Sequence, residues 1–166
     1  MSNALAERFR RWFDYEKDAH AKVLQSLESV PAERRSSPEF KKAAGLLAHI
    51  VAARRIWLTR FGVIPASGGS IFPENAILGD VAKELGAVQE RWSNYLSKIT
   101  DAEIGRTFKY QSLDAGRFRN TIDDILTQLF GHSSYHRGQI AMLIRAAGGE
   151  PAVTDFVYWC REPVAK

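Results

Sequence analysis

The sequence predicts an all-α fold, a four-helix bundle with a long crossover loop and a short hairpin before the fourth helix. Three observations carry that prediction. Apolar residues recur at three- and four-residue intervals over four long stretches, which is the period of helices that bury one face. Breaks rich in glycine, serine and proline separate the stretches, and the longest, VIPASGGSIFPEN from 63 to 75, suits a crossover between bundle helices. Residues 103 to 119 instead alternate apolar and polar side chains around Asp114, Ala115 and Gly116, as a hairpin does.

The first helix runs from about Ala4 to Ser29 on Leu5, Phe9, Trp12, Phe13, Val23, Leu24 and Leu27. Glu16 and His20 continue the line from Trp12 to Val23, so two polar groups face inward. Pro31 and the SSP at 36 to 38 break the chain, and Pro38 suits the first turn of the next helix, where a missing N–H does no harm. That helix uses Phe40, Ala44, Leu47, Ile50, Val51, Trp57, Leu58 and Phe61 and ends near Gly62 before Pro65. Its other apolar edge, Leu46, His49, Ala53 and Ile56, sets His49 among core-type residues. A third helix spans about Ala76 to Ile99. Thr121, with Asp124 three residues later, marks the start of the fourth, which uses Ile122, Ile125, Leu126, Leu129, Ile140, Leu143 and Ile144 and stops at Gly148 and Gly149 before Pro151. The tail through Tyr158 and Trp159 is apolar enough to dock on the body.

Composition bounds the function classes. A 166-residue chain with 45% apolar residues is most economically one domain, 1–166, able to bury a substantial core. No apolar run approaches the ~20 residues that cross a bilayer, so no membrane partner is expected. MSNALAERFRRWF has no apolar stretch ending in a cleavage-like site, and a cytoplasmic location is expected. The single cysteine, Cys160, excludes an internal disulfide and CxxC-type motifs, and nothing in REPVAK marks a base that would activate it. A net charge of +4 with RFRR at 8–11, RR at 34–35, RR at 54–55 and RFR at 117–119 raises a nucleic-acid reading. Acidic residues interleave with these scattered clusters, so solvated helix faces are the better account.

The chemistry concentrates in GHSSYHRGQI. The line Ile125, Leu129, His132, His136, Ile140, Leu143 directs both rings into the bundle, where burial favours neutral imidazole, the form that coordinates metals. Rings at i and i+4 share one helix face and so can share one cation, with His49 the natural third ligand. Three histidines leave an open coordination position, the pattern of catalytic zinc, and imidazole equally suits nickel, copper or iron(II). On spacing alone, two satisfied core histidines explain the pair as well as a metal does.

LLAHIVAARRIWLTRF together with FRNTIDDILTQLFGHSSYHRGQIAMLIRAAGGEPAVTDF resembles the DinB-like family of metal-binding four-helix bundles. The resemblance preserves order over almost the whole chain: His49 followed by Trp57, the hairpin with Gly116, HSSYHRGQI, then Gly148 or Gly149, Pro151 and Asp155. It implies that His49, His132 and His136 ligate one divalent ion, zinc or nickel in many relatives. It further implies a thiol S-transferase, or an isomerase or hydrolase assisted by a low-molecular-weight thiol such as bacillithiol or mycothiol, acting on a small-molecule substrate, and a homodimer.

One departure matters. Relatives often carry a YNxWxN pattern in the first helix, where this chain reads YEKDAH from Tyr15 to His20. Glu16 and His20 become candidates for a general base, a second layer around the metal or a fourth ligand; their four-residue spacing equally fits a mutual pair. Arg137 and Gln139 are expected to pair with acidic neighbours or to cap, Ser133 and Tyr135 lie off the ligand line, and Asp155 is expected to anchor the tail against Arg137 or the ligand helix. The leading expectation is a metal-dependent thiol transferase. A non-enzymatic metal-binding stress-response protein stands second, and nucleic-acid binding through the basic clusters last.

Overall fold

The computed structural model describes residues 3–66 and 68–165, so Ser67 of the crossover loop lies outside the described residues. Four long helices carry the fold: α1 (Ala4–Glu28), α2 (Pro38–Arg60), α3 (Leu78–Lys98) and α5 (Ile122–Ala146). Between the last two come a single turn, α4 (Asp101–Ile104), and an antiparallel hairpin of β1 (Thr107–Gln111) and β2 (Arg117–Thr121); α6 (Phe156–Cys160) closes the chain. The helical bundle, its crossover and its hairpin are those the periodicity predicts.

Local chemistry sets the boundaries. Ser37 caps α2 by accepting from the Phe40 N–H at 3.2 Å, with Pro38 in the first turn. Thr121 and Asp124 form a reciprocal capping box, each side chain accepting from the other's backbone N–H, and such caps typically contribute ~1 kcal/mol. The third helix starts at Leu78 rather than Ala76. Nothing in the residue pattern announces α4, because one turn is too short to display a period; Thr100 caps it by accepting from the Glu103 N–H.

One apolar cluster draws on all four long helices, with Leu27, Leu47, Ile50, Leu58, Trp92, Ile122, Ile140 and Ile144 fully buried. Each such side chain gains about 1.5–3 kcal/mol on leaving water. The Trp92 indole also donates to the Arg54 carbonyl at 3.2 Å, which satisfies its polar edge in the interior. The hairpin lies over the end of α2: Phe108 meets Phe61, Tyr110 meets Trp57, and Arg60 donates to the Gln111 carbonyl at 3.0 Å.

The tail docks, but not through Asp155. That residue precedes α6 without a side-chain cap. The anchors are Ser26, whose hydroxyl donates to the Glu150 carbonyl at 2.5 Å and accepts from the Ala152 N–H at 3.1 Å, and Tyr15, whose hydroxyl donates to the Thr154 carbonyl. Phe156 and Trp159 set their rings edge-on to Tyr15, while Tyr158 stays exposed.

Much of the basic excess is used internally. Arg10 donates to the Leu96 and Ile99 carbonyls at 2.8 and 2.9 Å, and Arg35 to those of Val30 and Glu28 at 3.0 and 2.7 Å. Both thus sit where the dipoles of α3 and α1 are negative. Arg54 is fully interior.

Candidate metal centre

α5 packs along α2 and brings His49, His132 and His136 together: one ring nitrogen from each lies within 4.8 Å of the other two. The Nε2 atoms of His49 and His132 are 3.0 Å apart. Among the described residues this is the one histidine, cysteine or carboxylate group arranged to hold an ion, and neither Glu16 nor His20 belongs to it.

The crossover loop forms the third wall. It passes over α2 with the Pro73 carbonyl beside Gly45, then lays the Phe72 ring parallel to His49, centroids 4.4 Å apart. The neighbouring Ile71 carbonyl accepts from His49 Nδ1 at 2.6 Å. Gln139, one turn beyond His136, places Oε1 2.7 Å from that ring's Nδ1. With Nδ1 protonated and engaged in both rings, the free lone pair of each is on Nε2, as is usual when a second group orients a metal-bound histidine. Burial lowers the pKa of His49, opposed by the Ile71 bond and assisted by His136. His132 is lowered to about 4, first by burial, then by the charges of His136, His49 and Arg54. Both rings are therefore neutral at physiological pH, and the donor set fits a divalent transition-metal ion.

The inward line on α5 differs from the one read in the sequence. The buried positions are Leu126, Leu129, Ser133, Arg137, Ile140 and Ile144, with Ile122 and Ile125, while His132 and His136 are half-buried along one edge. Adjacent stripes on a helix differ by only ~100° per residue, and a serine and an arginine gave no apolar signal to fix the phase. The histidines thus line the groove between α2 and α5 instead of its interior, and that placement leaves one side accessible.

Beneath the groove, Glu16 is 3% exposed, as the inward stripe of α1 predicts, but it does not pair with His20. Its carboxylate accepts from Arg54 and, at 3.2 Å, from Arg137. Arg54 goes on to the Ser133 hydroxyl at 3.1 Å, and Arg137 to the Tyr15 hydroxyl at 2.8 Å. Arg137 therefore takes the acidic partner expected of it, and Ser133, left off the ligand line, joins this cluster through Arg54 at the position next to His132. His20 is fully buried, its Nε2 has no partner among the described residues, and burial with the charges of Arg54 and Arg137 holds its pKa well below the usual value. Sequence reasoning missed Arg54, Ile71 and Phe72, and it expected Gln139 to pair with an acidic neighbour or to cap, whereas Gln139 accepts from His136. Only Gln139 was legible, three residues from His136 on the same helix face.

A helical bundle with an interhelical groove carrying three convergent imidazoles defines a class of small metal-binding bundle proteins. The DinB family model matches residues 1–162, and the chain belongs to that family. Protein DinB of Bacillus subtilis (strain 168) is 22% identical over 152 residues, covering 87% of this chain and 88% of that protein. No solved structure matches the chain.

Proposed function

We propose that this is a divalent-metal-binding bundle protein in which His49, His132 and His136 ligate one zinc or nickel ion, and that the centre works as a thiol S-transferase or a thiol-assisted isomerase or hydrolase. The observation that carries the reading is the convergence of three ring nitrogens within 4.8 Å, two of the rings having Nδ1 committed elsewhere. A bound ion would supply Lewis acidity, lowering the pKa of a thiol or water toward neutrality. The chain's own residues do the positioning. Ile71 and Gln139 fix ring tautomers, Phe72 limits rotation of His49, and the half-buried edge of α5 leaves room for a cosubstrate beside the histidines. In this reading Glu16 and His20 are interior positioning groups: Glu16 holds Arg54, which holds Ser133 next to His132. A homodimer and a cytoplasmic location complete the proposal. No helix of the described residues is long and apolar enough to cross a membrane.

The test is elemental analysis of tag-free protein for wild type and His49→Ala, followed by an assay in which a small thiol displaces halide from a chromogenic aryl halide. About one ion per chain in the wild type, lost in the variant together with thiol consumption, supports the reading. Metal without turnover, with a marked fall in Tm on chelation, points instead to a structural ion. No metal in either protein overturns the assignment.

A further inference from the structure

Toward the hairpin, α2 and α5, the helices that hold the three histidines, also border an open recess of about 440 Å³, within the size range of small-molecule sites. Gln128 lies one turn before His132 on α5, and Trp57 two turns beyond His49 on α2, so the recess lies along the same pair of helices as the imidazoles. Its walls differ in chemistry. Trp57 and Tyr110 meet edge-on at 4.9 Å and, with Ile125, form an apolar aromatic side. The Arg60 guanidinium sits against both rings, 4.5 and 5.0 Å from their centroids, and donates to the Gln111 carbonyl, so its charge is engaged behind that wall. The polar lining is Asn120, Asp124 and Gln128. Asn120 Oδ1 accepts from the Tyr110 hydroxyl at 2.9 Å, and the Asn120 side chain also helps to hold the Asp124 carboxyl low. Asp124 stays ionised, its carboxyl held low by the hydroxyl and backbone N–H of Thr121. Gln128 makes no side-chain hydrogen bond among the described residues.

We propose that this recess is the organic-substrate site of the histidine centre and takes a small molecule with a planar apolar body and an amine or hydroxyl donor, the body against Trp57 and Tyr110 and the donor on Asp124. The word substrate rests on the metal-centre reading; the recess and its selectivity do not. An anionic ligand of the same shape meets the Asp124 carboxylate and is rejected. The hairpin, which supplies Tyr110 and Asn120, becomes the element that sets specificity.

The probes are benzylamine and benzoate, which share a ring and differ in charge, titrated into wild type, Asp124→Asn and Gln128→Trp while the indole and side-chain amide NMR signals are followed. Both positions are exposed, so both variants are expected to fold. Benzylamine is expected to shift the Trp57, Asn120 and Gln128 signals saturably, about tenfold more weakly in Asp124→Asn and not at all in Gln128→Trp, with benzoate inert. The same titration on metal-stripped protein separates the two readings. Binding that persists without an ion, or in a chain that never holds one, keeps the recess whatever becomes of the metal centre. Shifts confined to metal-loaded protein, equal shifts with benzoate, or no shift at these three side chains would overturn the proposal.

Discussion

Glu16→Gln isolates the buried charge cluster. Glu16, Arg54 and Arg137 are each 3% exposed, and one carboxylate balances two guanidinium groups. The amide is nearly isosteric, so packing survives, and Arg54 keeps Ser133 while Arg137 keeps Tyr15. What is lost is the only interior negative charge in contact with either arginine among the described residues. Removing one member of a buried ionic cluster costs about 3–5 kcal/mol, because the remaining charges stay desolvated without a counter-charge. For a chain of this size each kcal/mol moves Tm by about 2–4 °C, so thermal denaturation should show a fall of roughly 6–20 °C. Replacing all three residues together, Glu16→Leu with Arg54→Met and Arg137→Met, should recover much of it, since no charge then remains to be buried. Metal content per folded chain should not change in Glu16→Gln, since the carboxylate touches none of the three metal-site histidines. A Tm shift below about 3 °C would refute the ledger of buried charges, and loss of metal from folded protein would refute the placement of Glu16 outside the metal site.

Further outcomes follow from the same geometry. His20, His49 and His132 all have lowered pKa values in the fold. Between the unfolded value near 6.5 and the lower folded value, the unfolded chain binds more protons, so metal-free protein should lose stability as pH falls from about 6.5, toward about 4 for His132. Urea midpoints across that window should fall less steeply in His20→Gln, and an unchanged slope would contradict a buried neutral His20. Gln139→Leu removes the acceptor at His136 Nδ1 and should weaken zinc binding about 10–100-fold, read by competition with a fluorescent chelator, with Tm of the metal-free protein nearly unchanged. Gly149→Ala would set a Cβ 2.6 Å from Val30 Cγ2 and 2.9 Å from Ile144 Cγ2, an overpacking expected to cost about 1–3 kcal/mol in urea denaturation.

The elements that the sequence announced are those governed by neighbours in the chain. Helical stripes repeat within a few residues, Ser37 and Pro38 act on the turn beside them, and Thr121 and Asp124 close their box three residues apart. The pairing of His132 with His136 is local in the same sense, and the family motif extended it to His49. The phase of α5 was not local. Whether His132 or Ser133 faces the interior depended on Arg54, 79 positions away, offering a buried partner to the serine.

By itself, then, the sequence determined the four helices, their breaks, the hairpin and the pairing of His132 with His136, because each follows from periodicity or a spacing within one or two turns. Tertiary structure alone decided that Glu16 answers two arginines 38 and 121 positions away, that the crossover loop supplies Ile71 and Phe72 to His49, and that the pair of helices holding the histidines also borders a recess beside the hairpin. Those contacts join segments with no shared local pattern, and only the packing of one helix against another gives them a partner.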